Sequence, residues 1–235
     1  MKITVINGSP RKGNTYKATQ LFKNEMMKRG EIEFTEFFLP RDMPNFCRGC
    51  MSCFMKGEEQ CPNAKYTLPV LEAMQQSDAL ILATPVYVLE ASGAIKAFLD
   101  HFGFIFLTHR ARPEMFEKKA FVLATTAGAG TGAAIKAITK SLKFWGINRV
   151  YSAGFALWEI AWESMKEKRR ERFERKIKKD AENFYKEVAS RKKKRPYVQT
   201  RAMFLMMRKM IKGQSEDSRD KQYWQQQGWF EENPF

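Results

Sequence analysis

Histidine is nearly absent from this chain: His101 and His109 are the only two in 235 residues. Neither stands among Ser, Cys or acidic residues in a pattern from which a nucleophile, a base and an orienting acid could be assembled, so triad chemistry has no footing. His101 follows Phe-Leu-Asp in a helical pattern and is expected to be a structural or surface residue. Cysteine is scarce as well. All four lie between Cys47 and Cys61, which excludes a disulfide framework tying distant segments together and points to metal or redox chemistry. No apolar run approaches the roughly 20 residues of a membrane span, and the chain enters an apolar pattern at Lys2 without the succession of a signal peptide. The expected location is cytoplasmic. Two phosphate signatures are also missing from the first loop, G-x-G-x-x-G and the P-loop lysine pattern, so neither a dinucleotide pyrophosphate nor a nucleoside triphosphate is its expected guest.

Acidic residues are few in one region. From Glu163 to Lys212 there are nineteen Lys/Arg against seven Asp/Glu, so this segment holds about +12 of the formal net charge of +15. The rest of the chain is almost neutral.

The residues that are present begin with an informative junction. "KITVI" is short and β-branched and reads as a buried strand; "NGSPRKGNT" (7 to 15) follows; then Ala18, Leu21, Phe22 and Met26 recur at helical spacing. A loop joining a strand to a helix N-terminus offers unpaired backbone N–H groups and the positive end of the helix dipole, which favours an anion. Ser9, Arg11, Gly13, Asn14 and Thr15 add hydroxyls, a guanidinium, an amide and a flexible backbone, an inventory suited to a terminal phosphate monoester.

The pattern then repeats. Strands are expected at 31–39, closed by Pro40, at 78–87, at 119–126 and at 148–157; helices are expected from about Pro69, over 93–106, and over 133–145 with Gly146 as the cap. Such alternation specifies an α/β domain with a parallel sheet covered by helices on both faces, binding its ligand at the carboxyl ends of the strands. Beyond Trp162 a long charged helix is expected to run to Pro196 with Phe173, Ile177, Phe184 and Val188 as a thin apolar stripe, followed by a short amphipathic helix over 200–213 and an aromatic tail without a clear period.

"GSPRKGNT", then "TPVY" and "SGAIKAFLD", taken together resemble the NADPH-dependent FMN reductase and iron–sulfur flavoprotein branch of the flavodoxin-like fold, over roughly residues 1 to 155. The resemblance implies a doubly wound five-stranded parallel sheet of order 2-1-3-4-5 in a domain of residues 1–160; the charged and amphipathic helices read above make residues 161–235 a helical extension to it. It implies FMN, with Ser9, Arg11, Gly13, Asn14 and Thr15 around the phosphate, and Pro85, Val86, Tyr87, Thr125, Thr126 and Gly128 along the ring. It further implies NAD(P)H as co-substrate, a quinone, flavin or other small acceptor, and no catalytic side chain, because the flavin carries the electron chemistry.

"CRGCMSCFMKGEEQC" is C-x2-C-x2-C-x7-C, a spacing expected to bring four thiolates around one point. It resembles the cluster motif of the iron–sulfur flavoproteins, which implies Cys47, Cys50, Cys53 and Cys61 as ligands of a [4Fe–4S] cluster and ferredoxin as an electron partner. A zinc site and an unliganded thiol loop stand as alternative readings. For the basic segment the readings are a solvated helix, a contact with an anionic membrane surface, or an acidic protein partner; nucleic acid is disfavoured because no RRM, KH or helix-turn-helix pattern accompanies the charge. Tyr223, Trp224, Trp229 and Phe230 need a cover, from their own domain, a second subunit or a membrane surface; a second subunit of a homodimer or homotetramer is the preferred one, with a membrane next.

Overall fold

β-Branched and apolar runs flanked by loops form the centre of the molecule, a computed structural model that describes residues 1–192 and 195–235. In chain order the elements are β1 (Lys2–Asn7), α1 (Asn14–Met27), β2 (Glu33–Phe38), α2 (Ser52–Met55), α3 (Ala64–Gln76), β3 (Ala79–Tyr87), β4 (Glu90–Ala91), α4 (Gly93–His101), α5 (Pro113–Glu117), β5 (Lys119–Thr126), α6 (Thr131–Phe144), β6 (Arg149–Ala156), α7 (Glu167–Ala189), α8 (Val198–Lys212) and α9 (Arg219–Gln226). The sheet runs β2-β1-β3-β5-β6 with parallel pairing throughout, and the two-residue β4 adds an antiparallel hairpin to β3. Counting the long strands alone, this is the expected 2-1-3-4-5 order. The order reverses beside β1, which places the ligand crevice at the carboxyl ends of β1, β3 and β5.

Alternate side chains of the central strands feed two cores, because successive residues point to opposite faces. Leu80, Leu82 and Val122 pack with Ile95, Phe98, Ile138 and Trp145 from α4, α6 and the turn after it. On the other face Ile81, Phe121 and Leu123 meet Phe22 and Met26 of α1 together with Phe173, Ile177, Phe184 and Val188 of α7. The charged helix therefore supplies one wall of the main core, and its apolar stripe is buried.

Several boundaries differ from expectation. The helix expected from Pro69 begins at Ala64, a full turn earlier, so Pro69 sits in the second turn and forfeits one backbone bond there. The one expected over 93–106 stops at His101, since Gly103 opens a tighter turn over Gly103–Ile105. The long basic helix ends at Ala189 and not at Pro196, where Arg191 adopts a left-handed φ of 48°; Lys193 and Lys194 of the basic run lie outside the described residues. The tail has a period after all, as α9. Gly146 does close α6, at φ 91°, with its N–H bonded to Lys143 and that of Ile147 to Leu142.

A third apolar cluster corrects the expectation about the aromatics. Trp224 and Trp229 are buried with Phe204, Met207 and Ile211 of α8 against Leu107, Ala111 and Phe116, and Tyr223 and Phe230 pack at its edge. Their cover is the chain's own domain rather than a second subunit, because α8 and α9 fold back far enough to close over the segment between α4 and α5. Among the described residues no helix is long and apolar enough to cross a membrane.

Candidate functional site

Three strand-to-helix loops meet at the sheet's carboxyl edge. The first is held by Gly8, whose N–H donates to the Ala83 carbonyl at 2.7 Å and whose own carbonyl accepts from Ser92 Oγ at 2.6 Å. Ser92 also accepts from the Ile95 N–H as the cap of α4, and its backbone N–H donates to Thr84 Oγ1 at 3.1 Å. One buried serine thus ties the first loop, the end of β3 and the start of α4 together, and a Cβ on Gly8 would lie 2.3 Å from Ile95. Ser92 opens the stretch SGAIKAFLD, and no local pattern marks it as this joint.

At the head of α1 the helical ladder starts with Lys17 N–H donating to the Gly13 carbonyl, so the N–H groups of Asn14, Thr15 and Tyr16 precede it and face outward at the positive end of the dipole. No acidic residue occupies that first turn. Arg11 N–H donates to Ser9 Oγ at 3.2 Å, which leaves the Ser9 proton to donate elsewhere. Thr15 Oγ1 lies 2.6 Å from Thr125 Oγ1, linking the first and third loops.

The Asn14 side chain also reaches away from the loop. Its Nδ2 donates to the Ile160 carbonyl and its Oδ1 accepts from the Trp162 N–H, each at 2.8 Å. The side chain reads the segment that leads into α7, and what it leaves free at the loop is its backbone N–H and the second Nδ2 hydrogen.

These loops enclose a cavity of about 440 Å³ lined by Ser9, Arg11, Gly13, Asn14, Thr15 and Lys17, by Pro85, Val86 and Tyr87, by Thr125 to Ala127, and by Ile160 and Ala161. Its volume lies in the range of small-molecule sites, roughly 300–1,000 Å³. The lining carries two cations, Arg11 and Lys17, and no carboxylate of its own, although Lys17 pairs with Glu163 just outside it; the balance suits an anionic ligand. Gly128 stands back from the lining: its N–H donates to Thr126 Oγ1, which in turn donates to the Ala129 carbonyl and shapes the turn. Two contributors were missed. Ile160 enters from beyond the last strand, where no motif signals it. Gly130, at φ 99°, lets the third loop lie against the β3–β4 hairpin, and a Cβ there would meet Leu89 backbone atoms at 2.7 Å.

Two apolar residues of the cavity lining are exposed, Tyr87 and Ile160, the latter 93% accessible; Val88 and Leu89, which follow Tyr87, are exposed too, Val88 to 96%, as is Trp158. Val88 and Leu89 form the hairpin tip at φ 50° and 66°, where glycine or asparagine is the usual choice and a branched chain costs about 1–3 kcal/mol.

The four cysteines do not surround one point. Cys47 and Cys50 are exposed on an irregular segment, whereas Cys53 lies on α2 and Cys61 follows the turn over Glu58–Gln60. Among the described residues no three Cys, His, Asp or Glu side chains stand together as a ready metal site. Gly49 and Met51, between the cysteines, both take left-handed conformations, at φ 64° and 59°. Burial, and then the proximity of Cys61 and Cys47, pushes the Cys53 thiol up to about 11. The Ser52 hydroxyl, 3.4 Å from Cys50 Sγ, holds that thiol below its ordinary range. As donors the four sulfurs suit a cluster, and the exposed pair is free of packing that would hold it away.

His101 is buried and pairs through Nε2 with the Asn45 carbonyl at 2.9 Å, a structural role at the start of the cysteine segment. His109 Nδ1 lies 2.7 Å from Asp220 Oδ2.

Comparison with known proteins agrees with this geometry. An iron–sulfur flavoprotein of Archaeoglobus fulgidus is 32% identical over 160 residues, 67% of this chain and 70% of that one. One of Clostridioides difficile is 30% identical over 145 residues, 60% and 61% of the respective chains. In fold the chain is similar to an FMN-dependent NADH-azoreductase of Bacillus anthracis solved with FMN, at a TM-score of 0.61 and 12% identity over 79% of this chain and all of the other. The profile of the family described as NADPH-dependent FMN reductase matches residues 1–160, the whole of the sheet and its three loops, and the chain belongs to that family.

Proposed function

We propose that the protein is an FMN-dependent oxidoreductase that takes electrons from NAD(P)H and passes them to a quinone, a flavin or another small acceptor. The observation that carries this reading is the cavity in which the α1 N-terminus, the end of β3 and the β5 loop converge beside the exposed Tyr87 and Ile160. FMN, when bound, supplies hydride acceptance and both one- and two-electron release. The chain's own part is to bind and to orient. Backbone N–H groups of Asn14 to Tyr16, the Ser9 hydroxyl and Arg11 neutralise the phosphate, and Pro85 to Tyr87 with Thr125 and Thr126 line the ring's place. Trp158, Ile160 and the Val88–Leu89 tip offer flat and apolar surface to a nicotinamide or quinone ring.

The test is anaerobic. Purified protein loaded with FMN is mixed with NADH or NADPH, and bleaching of the flavin band followed by its return on adding a quinone is the expected result. No bleaching with either nucleotide overturns the reading.

A second reading is favoured by the cysteine loop: an iron–sulfur flavoprotein that accepts electrons from ferredoxin through a [4Fe–4S] cluster held by Cys47, Cys50, Cys53 and Cys61. Reduction by ferredoxin, with iron and sulfide bound after anaerobic reconstitution, distinguishes it. The exposed Val88, Leu89, Trp158 and Ile160 also suit a second copy of the chain as a lid, and the outward side of α8, with Leu205, Met206 and Met210 exposed beside Arg201 and Lys209, suits an anionic surface.

A further inference from the structure

The cysteine loop is gripped from a distant part of the chain. Arg110, 4% exposed, lies between α4 and α5 and extends its guanidinium into that loop. Its Nη2 donates to the Cys53 carbonyl and, at 3.2 Å, to Glu58 Oε2. Its Nη1 donates to Asp220 Oδ1 on α9 at 2.7 Å and, at the limit of bonding, to the Phe54 carbonyl at 3.5 Å. The other oxygen of Asp220 takes His109, and the other oxygen of Glu58 takes Arg112.

α9 adds bonds of its own on both sides. Arg219 donates to the Lys56 carbonyl at 3.0 Å, while Tyr223 Oη and Trp224 Nε1 donate to the carbonyls of Ala111 and His109, each at 2.6 Å. The 109–112 segment is thus sandwiched between α9 and residues 53–58. Buried charges persist only while paired, so removing Asp220, the nearer of the two carboxylates on Arg110, leaves the guanidinium only the 3.2 Å contact with Glu58 and loosens its grip on the loop.

The grip is selective. Cys53 is held through its own carbonyl, and Cys61 follows the short turn that begins with Glu58, whereas Cys47 and Cys50 precede the gripped residues and are exposed. We infer that α9, acting through Asp220 and Arg110, is a latch that fixes the Cys53–Cys61 half of the four-cysteine loop and leaves the Cys47–Cys50 half free to close on a bound species. Arg110 and Asp220 are positioning residues for the thiols. The family match covers residues 1–160, and Asp220 lies beyond it. The consequence for metal binding rests on reading the cysteines as a cluster site, whereas the latch itself does not.

The test uses the full-length, FMN-loaded and iron-free protein, with alkylation by iodoacetamide followed cysteine by cysteine by peptide mass analysis. Asp220→Asn and Arg110→Gln are expected to speed modification of Cys53 and Cys61 about tenfold, the scale of losing one buried charge-assisted bond. Cys47 and Cys50 should change by less than about twofold, and Asp220→Glu should stay close to the natural protein. Arg219→Ala, which removes only the bond to the Lys56 carbonyl, is a milder variant expected to give a smaller rise at the same two sites should the others misfold. Unchanged rates at Cys53 and Cys61 in every variant, or an equal rise at all four with loss of FMN, overturn the latch. If the natural protein takes up no iron on reconstitution while the rates shift as expected, the cluster reading fails and the latch stands.

Discussion

The Asn14 side chain donates to the Ile160 carbonyl at 2.8 Å, joining the first residue of α1 to one 146 positions later. Together with the Trp162 N–H on its Oδ1, this bond makes the cavity's far wall depend on the loop at its floor.

Asn14→Leu is expected to weaken FMN binding at least tenfold and to cost about 1–2 kcal/mol of stability, because the partly buried Trp162 N–H and the Ile160 carbonyl lose their partner. Fluorescence titration and urea unfolding read the two effects. The extracted cofactor should be FMN by mass; FAD, or unchanged affinity in the variant, contradicts the assignment of the loop.

Gly130→Ala and Gly128→Ala make a matched pair. The first forces a Cβ against Leu89 at a φ of 99°, so a loss of about 1–3 kcal/mol and weaker flavin binding are expected. The second meets nothing within 4 Å and should be nearly silent. Equal effects in thermal unfolding would show that the third loop does not lean on the hairpin tip.

Ser92→Ala removes the cap of α4 and the donor to the Gly8 carbonyl together. About 1–3 kcal/mol should be lost, measured by denaturant midpoint, since the carbonyl it strands is buried. Flavin affinity should fall with it, because Gly8 begins the first loop.

Cys50→Ser tests the cluster reading. If the four thiolates bind [4Fe–4S], iron and sulfide should vanish while FMN stays in place, since the two sites use different loops. Iron analysis after anaerobic reconstitution decides the matter, and retained iron would count against Cys50 as a ligand.

Truncation after Arg195 should give an unstable chain. It strips Phe204, Met207, Ile211, Trp224 and Trp229 from Leu107 and Phe116, and each such side chain contributes about 1.5–3 kcal/mol when fully buried. A soluble truncated protein with an unchanged melting temperature would contradict this. Leu205→Glu, on the exposed side of α8, should shift stability by no more than about 0.5 kcal/mol.

By itself the sequence determined the sheet, because runs such as Ala79 to Ala83 and Phe121 to Leu123 alternate between two buried faces and leave no other element compatible with their length. It likewise determined that the first loop presents unpaired N–H groups at the positive end of α1, since these are a local property of the backbone at a helix start. Only the tertiary structure decided where Asn14 points, what Gly130 touches and what covers Trp224, for each depends on a partner more than forty residues away in sequence that no local pattern encodes. The same holds for the cysteines. Their spacing is written in a fifteen-residue stretch, but which of them are held was settled by Asp220 on α9 through Arg110, charges that attract each other only once α8 has turned the chain back upon itself.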